Sequence, residues 1–545
     1  MIAIGLVCIL FGSIISALAA RTFTNSTDTW TGTLMVSGNT DFVSGSYYNL
    51  SKKIWTSNGN VYNATAANLQ TAITSLATTG GTIYLPICNL TITSTLTITH
   101  NSTSLVGCGN KTILYLGNSQ NKDILQIGTY DSTGANNLTI SGICFDMNNA
   151  NNDGTHDNNR NSIDIRGYTR DVTIRDCFFR KGIGAYIVSG RYTSFITVDS
   201  CHFTSIEVTW NMYPGAIWFE GDYCIASHNM IRDTYAAGVI FESGTSGSYA
   251  NYNVADGNII TGVVAIGIYM ENSRSGNGTI INNHIYNINS TAYQNNASIC
   301  NAGILAMNNS IVSNNRIETV YNNGIQTRND CIVSDNIIKN IWGTGVDGAE
   351  KAGHGIYADY GDCIITGNYI DTVRDCGIYG PNGNQYVSDN YITGYGYIGV
   401  YKCEEIKNNK ILNGGDYGIH TSTNMQGNYI YIVRLEGIKP ISAHAIISNN
   451  IITNVTLASG LGIDVLAASH NDTINGNIIT GFAYGISLYQ AQNCTLTGNR
   501  VYGCTNGIDE RDVANYNIAV GNNCKGCTDG VDVDGSGSVN QHNLE

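Results

Sequence analysis

Proline and charge are what this chain has least of: four prolines in 545 residues, and 12% Asp, Glu, Lys and Arg. No heptads or charge runs occur, which excludes long solvent-exposed helices and coiled coils. The charge that is present is negative, −14 with a pI near 5.1, so the concentrated basic surface that phosphate binding needs is absent and nucleic acid is excluded as a partner. Also missing are Gly-x-Ser-x-Gly, His-Glu-x-x-His, a phosphate loop and tandem Cys-x-x-Cys pairs, the motifs of a nucleophile elbow, a zinc-protease helix, a nucleotide cradle and a thiolate zinc site. Cys524-Lys525-Gly526-Cys527 stands alone. Only Ile2 through Ser16 is apolar enough to meet a bilayer, and it ends in the small residues Ala17-Leu18-Ala19-Ala20. Residues 1–20 are therefore expected to be an export signal, with no transmembrane span left after cleavage.

What the chain has in quantity is glycine, 62 residues, together with asparagine. Both tolerate left-handed backbone angles and suit short strands joined by tight turns. They recur in phase. From Ser227 to Asn523 a small or polar pair precedes an asparagine, any residue and an aliphatic, as in Ser334-Asp335-Asn336-Ile337-Ile338, and Gly-Ile or Gly-Val follows. The asparagine falls at 229, 258, 283, 315, 336, 368, 390, 409, 428, 450, 477, 499 and 522, and the glycine at 238, 267, 303, 324, 355, 377, 399, 418, 437, 462, 485, 507 and 530. Spacings of roughly 19 to 32 residues belong to a solenoid, whose repeats bury their apolar faces only against one another. Amides stacked at its turns are expected to hydrogen-bond along the axis, which makes the asparagine a structural residue.

Residues 21–62 are rich in Ser, Thr and Asn and read as an N-terminal extension. Within Ala64 to Thr79, Leu69, Ile73 and Leu76 recur at helical spacing, predicting a short helix closed by Gly80-Gly81 that caps the first coil. Alternating strands follow at Thr82 to Pro86, Leu90 to Ile92 and Leu96 to Ile98. The order helix, Gly-Gly-Thr-Ile-Tyr-Leu-Pro, alternating strand and Leu105-Val106-Gly107-Cys108-Gly109 resembles the start of the pectate-lyase-like superfamily of right-handed parallel β-helices, and the later Asn and Gly-Ile repeats resemble its coils. One departure is that the family's Pro-Ala-Gly-Thr-Tyr turn is here Pro86-Ile87-Cys88-Asn89-Leu90. The resemblance implies an all-β fold, a single-stranded right-handed parallel β-helix (solenoid) over residues 63–535 with a short N-terminal capping helix, about 16 to 18 coils and a polar tail at 536–545. It implies no activity, because that fold carries lyases, hydrolases, epimerases, tailspikes and inert surface proteins. Gly353-His354-Gly355-Ile356 resembles the histidine motif of polygalacturonases, but the Asn-Thr-Asp, Asp-Asp and Arg-Ile-Lys segments that family also needs are absent.

Alternation along a strand places the residue after the repeat glycine inside and the second and fourth after it towards solvent; stacking at about 4.8 Å turns each position into a column. The fourth-position column reads Glu220, Glu242, Glu271, Met307, Arg328 and Asp359. Carboxylates at that spacing repel unless protonated or bridged, so Glu220, Glu242 and Glu271 are the candidate Ca²⁺ ligands or acid/base groups of a polysaccharide lyase, with Arg166 as its base. Arg160, Arg170, Arg175, Arg180, Lys181 and Arg191 crowd the same coils, but Asp157, Asp164, Asp171 and Asp176 interleave with them, and mutual neutralisation is the plainer reading. The second-position column runs Trp218, Ile240, Tyr269, Leu305, Gln326, Tyr357, Tyr379, Tyr401 and His420. Its tyrosines Tyr357, Tyr379 and Tyr401 are either a glycan-stacking stripe or ordinary strand aromatics. Polar loops are expected at 148–161, 289–300 and 342–354, where function often sits.

Export makes the cysteines permissive for disulfides. Cys504 and Cys527 each follow their repeat asparagine by five residues, and Cys331 and Cys363 each precede theirs by five, so both pairs are disulfide candidates. N-glycosylation sequons stand at Asn25, Asn49, Asn63, Asn89, Asn101, Asn110, Asn137, Asn277, Asn289, Asn296, Asn308, Asn454, Asn471 and Asn493. The expected protein is a secreted or cell-surface glycoprotein with a structural, adhesive or filament-forming role. Its partner would be a polysaccharide, or copies of itself joined head to tail through residues 21–62. The alternative is the calcium-assisted lyase, acting on an acidic glycan.

Overall fold

The computed structural model describes residues 53–545 apart from 131–133, 153–159, 207–214, 236, 243–249, 272–275, 290–301, 344–352, 422 and 456–459. The expected export signal, residues 21–52 of the extension, Asp157, and the sequons at Asn25, Asn49 and Asn296 lie outside the described residues.

The repeat folds as a parallel β-helix. Each coil gives one strand to each of three sheets, A, B and C: Ile332–Ser334 in A, Ile337–Ile341 in B, Ile356–Ala358 in C, then Ile364–Thr366 back in A. Each strand pairs in parallel with its equivalent one coil away, as Ile332↔Ile364, Ile338↔Ile370 and Ile356↔Ile378 show. Sheet C has 18 strands among the described residues, the upper end of the expected range. Inside, Val333, Ile338 and Ile356 face one another with 0% exposure, and their equivalents in the next coil, Ile365, Ile370 and Ile378, do the same. Each such side chain contributes roughly 1.5–3 kcal/mol by leaving water. In the less regular early coils the sheet B column is aromatic instead. Phe145, Phe179 and Phe203 stack with centroids 5.1 and 4.7 Å apart.

The turn from A to B explains the asparagine. The residue before it is left-handed, as at Asp335 (φ 57°), Gly367 (67°), Asp389 (57°) and Asn408 (55°). Gly, Asn and Asp adopt that angle at least cost, which accounts for the small or polar pair. The asparagine then points into the corner. Asn336 Nδ2 donates to Val312 O at 2.9 Å, to Ser334 O at 3.0 Å and to Asn368 Oδ1 at 3.0 Å, and its backbone N–H donates to the same Oδ1 at 3.1 Å. This pattern climbs from Asn229 to Asn543. The expected amide ladder is present, and Cys201, one coil before it, still donates its N–H to Asn229 Oδ1.

The repeat glycine is required for space rather than for its backbone angle. A Cβ at Gly377 would lie 2.4 Å from Ile392 Cγ2 and 2.6 Å from the Gly399 carbonyl, the two surfaces between which the chain turns into sheet C.

Both expected ends of the β-helix are corrected. Strands β1 (Lys53–Thr56) and β2 (Val61–Asn63) form an antiparallel hairpin, and β1 also pairs antiparallel with β3 (Gly81–Tyr84). Residues 53–62 therefore belong to the β-helix body and not to an extension; Ile54, fully buried, anchors them. Between β2 and β3 lies α1 (Ala66–Ser75), whose N-cap Thr65 Oγ1 accepts the Asn68 N–H. As expected it buries Leu69 and Ile73, with Leu76 buried at its C-cap, and a short turn then leads to a left-handed Gly80. At the other end, Val539–Gln541 pairs with Ile518–Val520 and Asn543 adds a rung to the ladder, so residues 536–545 continue the coil rather than trail as a tail. Their polarity is that of turn residues.

Candidate binding face on sheet C

The outward faces of the three sheets differ in chemistry. Sheet A shows exposed isoleucines at 311, 332 and 364, and sheet B at 259, 337 and 451. Sheet C carries carboxylates, cations and rings. All three expected polar loops fall in the connection from sheet B to sheet C: between Cys144–Asp146 and Ile163–Ile165, between His284–Ile288 and Ala302–Met307, and between Ile337–Ile341 and Ile356–Ala358.

The predicted columns hold in register. Trp218, Ile240, Tyr269, Leu305, Gln326, Tyr357, Tyr379, Tyr401 and His420 pair successively. So do Glu242 with Glu271 and Met307 with Arg328. The expected exposure does not hold. Gln326 is 0% exposed, Tyr379 1% and Tyr357 3%. These side chains point away from the core but form clusters of their own, one of Ile266, Leu305 and Met307, another of Tyr357, Cys376, Tyr379 and Ile398. Tyr379 stacks on Tyr401 at 5.0 Å and 11° and lies 5.5 Å from Tyr357. The rings cover one another's faces, so the tyrosine stripe is packing and offers no open platform to a sugar. Only Tyr401 stays half-buried, with Lys402 Nζ 4.9 Å from its ring.

Glu220 and Glu242 are half-buried in successive coils, and the side chain of Glu271 lies outside the described residues. Arg166 does reach Glu220's surroundings, but its Nε donates to Asp164 Oδ2 at 2.6 Å and its guanidinium lies over the Tyr130 ring. Arg166 is thus engaged as the counter-ion of Asp164. Neutralisation is also what Arg180 and Lys181 do, although their partner is Asp146, at 2.8 and 3.3 Å, and none of the acids expected.

Sequence reasoning missed Asp123. Its Oδ1 accepts the Asn161 N–H at 2.7 Å, and burial followed by the charge of Asp164 pushes its carboxyl up to about 7. Burial likewise raises Asp164 and, against the pull of Arg166 and Arg191, Glu220. Asp123 was hidden because the register was counted from repeat glycines, and in its coil Ile124 stands in that place. In later coils several cations of the face meet carboxylates. Arg328 Nε is 3.0 Å from Asp359, Lys439 Nζ is 3.1 Å from Glu436 and 3.7 Å from Asp464, and Arg511 is 3.9 Å from Asp509. His420 is pushed down to about 4 by burial and then by Lys439 and Lys402, so it is neutral. Several polar atoms on this face are buried without a hydrogen-bond partner: Asn161 Nδ2, Trp218 Nε1 and both amide atoms of Gln326.

Cys504 with Cys527 and Cys331 with Cys363 are neighbours in adjacent coils, and Cys177 with Cys201 makes a third such pair. All six are free thiols. The sequon asparagines at 63, 89, 101, 110, 137, 277, 289, 471 and 493 are exposed and Asn308 is half-buried. Asn454 is corrected: it is 4% exposed and donates to Val433 O at 3.1 Å, which leaves no room for a glycan.

Residues 398–544 match the family model described as "Right handed beta helix region". No curated protein matches. Among solved structures, the chain is similar to PfbA, a surface adhesin of Streptococcus pneumoniae (16% identity over 66% of this chain and 88% of that one, TM-score 0.41). It is also similar to the A-module of the Azotobacter vinelandii mannuronan C-5 epimerase AlgE4 (16%, 81% and 92%, TM-score 0.26). A third is the tailspike of the E. coli bacteriophage HK620 in complex with a pentasaccharide (14%, 82% and 74%, TM-score 0.39).

Proposed function

Because the chain is a right-handed parallel β-helix protein, we propose that it is an extracellular glycan-binding protein of adhesive or structural role, with the outward face of sheet C, around Asn161, Trp218 and Glu220, as its binding face. The observation that supports this is Trp218, half-buried on the outward face of sheet C with the half-buried carboxylates Glu220 and Glu242 in its own and the next coil. An indole presents an apolar face to a sugar ring, and carboxylates accept hydrogen bonds from sugar hydroxyls. Arg166, Arg328 and Lys439 are already paired with carboxylates of the face, which favours a neutral polysaccharide over the acidic glycan of the lyase alternative. Isothermal titration against panels of neutral and acidic polysaccharides tests this. Binding to a neutral chain, weakened at least ten-fold in Trp218→Ala, is the expected result; binding only to acidic chains, or unchanged in Trp218→Ala, defeats it.

A second reading, a carbohydrate-active enzyme, is favoured by one observation, the Asp123 carboxyl poised near 7 beside Asp164. Calcium would serve that reading through Glu242 and Glu271, which are in register. Calcium-dependent release of unsaturated products, lost in Glu242→Ala, would establish the lyase in place of the binding protein.

A further inference from the structure

The interior cysteines of this chain, Cys331, Cys363, Cys403 and Cys494 among them, sit in the apolar core, where a thiol serves as a small apolar group. Cys376 does not. It belongs to the outward cluster on sheet C with Tyr357, Tyr379 and Ile398, two residues before Ile378. One coil below, two residues before the paired Ile356, stands His354. Asp375 precedes Cys376. His354 is 1% exposed, Cys376 2%, and the Asp375 side chain 30%.

We propose that His354, Asp375 and Cys376 form a binding site for a zinc-like divalent transition-metal ion. Their donor atoms all lie within 4.8 Å of one another. His354 Nδ1 is 3.8 Å from Asp375 Oδ2, and Cys376 Sγ is 3.6 Å from Asp375 Oδ1. Bonds of about 2.0 Å to nitrogen and oxygen and about 2.3 Å to sulfur, at tetrahedral angles, put such atoms about 3.3–3.6 Å apart, so the two contacts to Asp375 are near the required spacing and any wider separation, at most 4.8 Å, shortens on binding.

The hydrogen bonds suit the ion. His354 Nδ1 accepts the Cys376 N–H at 3.3 Å, which turns that nitrogen towards the other two donors. The bond it would give up is at the long end of the range. Cys376 donates its S–H to Asp375; a metal ion takes the place of that proton, which leaves to solvent as the sulfur becomes a thiolate. The imidazole orientation is held by Tyr357 and Tyr379, whose ring centroids lie 5.7 and 5.0 Å from its own. Asp375, the exposed member, is the route of entry. Three protein ligands leave a fourth position for water, the pattern of an open rather than a sealed zinc site. A soft thiolate with imidazole and one carboxylate selects zinc, cobalt or copper over calcium or magnesium, which makes this site distinct in chemistry from the glutamate column.

The test uses the full chain. The protein is reduced, loaded with Zn²⁺ or Co²⁺ and freed of excess metal. Metal per chain is then measured by mass spectrometry, and the Co²⁺ form is examined for a thiolate-to-cobalt charge-transfer band. Wild type should retain one equivalent and show the band. Cys376→Ser should lose the band, and Asp375→Asn, whose exposed side chain can change without disturbing packing, should weaken retention at least ten-fold. Circular dichroism reports whether each variant is folded. Binding of less than one equivalent by folded wild type overturns the proposal, as does a band and stoichiometry unchanged in folded Asp375→Asn and Cys376→Ser, which would place the metal on other thiols.

Discussion

Asn336 and Gln326 are amides ten residues apart, both 0% exposed, and they could hardly be treated more differently by the fold. Asn336 uses everything it has. Its Nδ2 donates three times, and its Oδ1 accepts from both the backbone N–H and the Nδ2 of Asn315. Gln326, on the outward face of sheet C, has neither amide atom partnered. The first amide is architecture: identical coils bring identical groups together, and the repeat satisfies itself. The second sits where the coils stop being identical, with leucine below it and tyrosine above. A buried polar group that the repeat does not satisfy marks a place where the chain has been adapted to something other than its own stacking.

The comparison can be broken most forcefully at the ladder. Asn368→Ala leaves Val333 O without its side-chain donor and the Asn336 N–H without its acceptor, and takes away one of the three acceptors of Asn336 Nδ2. At about 1–3 kcal/mol for each of the two buried groups so stranded, a loss of roughly 2–6 kcal/mol is expected in denaturant unfolding, with glycan affinity per folded molecule unchanged. Next in size is Gly377→Ala, whose new Cβ meets Ile392 and the Gly399 carbonyl; overpacking of this kind should cost about 2–3 kcal/mol in the same measurement.

On the sheet C side the expected effects are smaller and depend on pH. The folded-state value of Asp123 is about 7, above its unfolded value near 3.9, so the folded chain holds that proton more tightly. The stabilisation is complete below about pH 4 and is lost as pH rises through about 7; Asp472, also pushed up to about 7 by burial, acts in the same sense. Asp123→Asn should therefore flatten the pH dependence and, at pH 8, exceed wild type by about 1–2 kcal/mol, as read by thermal unfolding across pH 4–8. The smallest effect sharpens the comparison most. Gln326→Leu should be neutral or stabilising by up to about 1 kcal/mol, whereas Asn336→Leu should be strongly destabilising, because only the second removes hydrogen bonds.

The ladder could be read directly from residues, because a two-residue turn repeated in every coil needs the same chemistry each time. Asparagine, the left-handed residue before it and the glycine that admits Ile392 against the backbone are each dictated by contacts with their own copies one coil away. Register followed from the same repeat, which is why Glu242 stands beside Glu271 and Tyr357 beside Tyr379 as counted. Exposure did not follow. Alternation says which way Tyr379 points, away from the core, but burial there depends on His354, Cys376 and Ile398, which precede the repeat glycine and carry no periodic signal. Asp123 and the pairing of Arg180 with Asp146 escaped for a related reason, since the early coils lack the glycine by which positions were matched.

The claim that architecture and binding occupy separate faces is tested most directly by hydroxyl-radical footprinting of the full chain with and without a saturating neutral polysaccharide, read side chain by side chain. Protection of Trp218 on sheet C, with Tyr386 on sheet A and Tyr369 on sheet B as reactive as before, is the predicted result. Protection of Tyr386 or Tyr369 with Trp218 unchanged would contradict it.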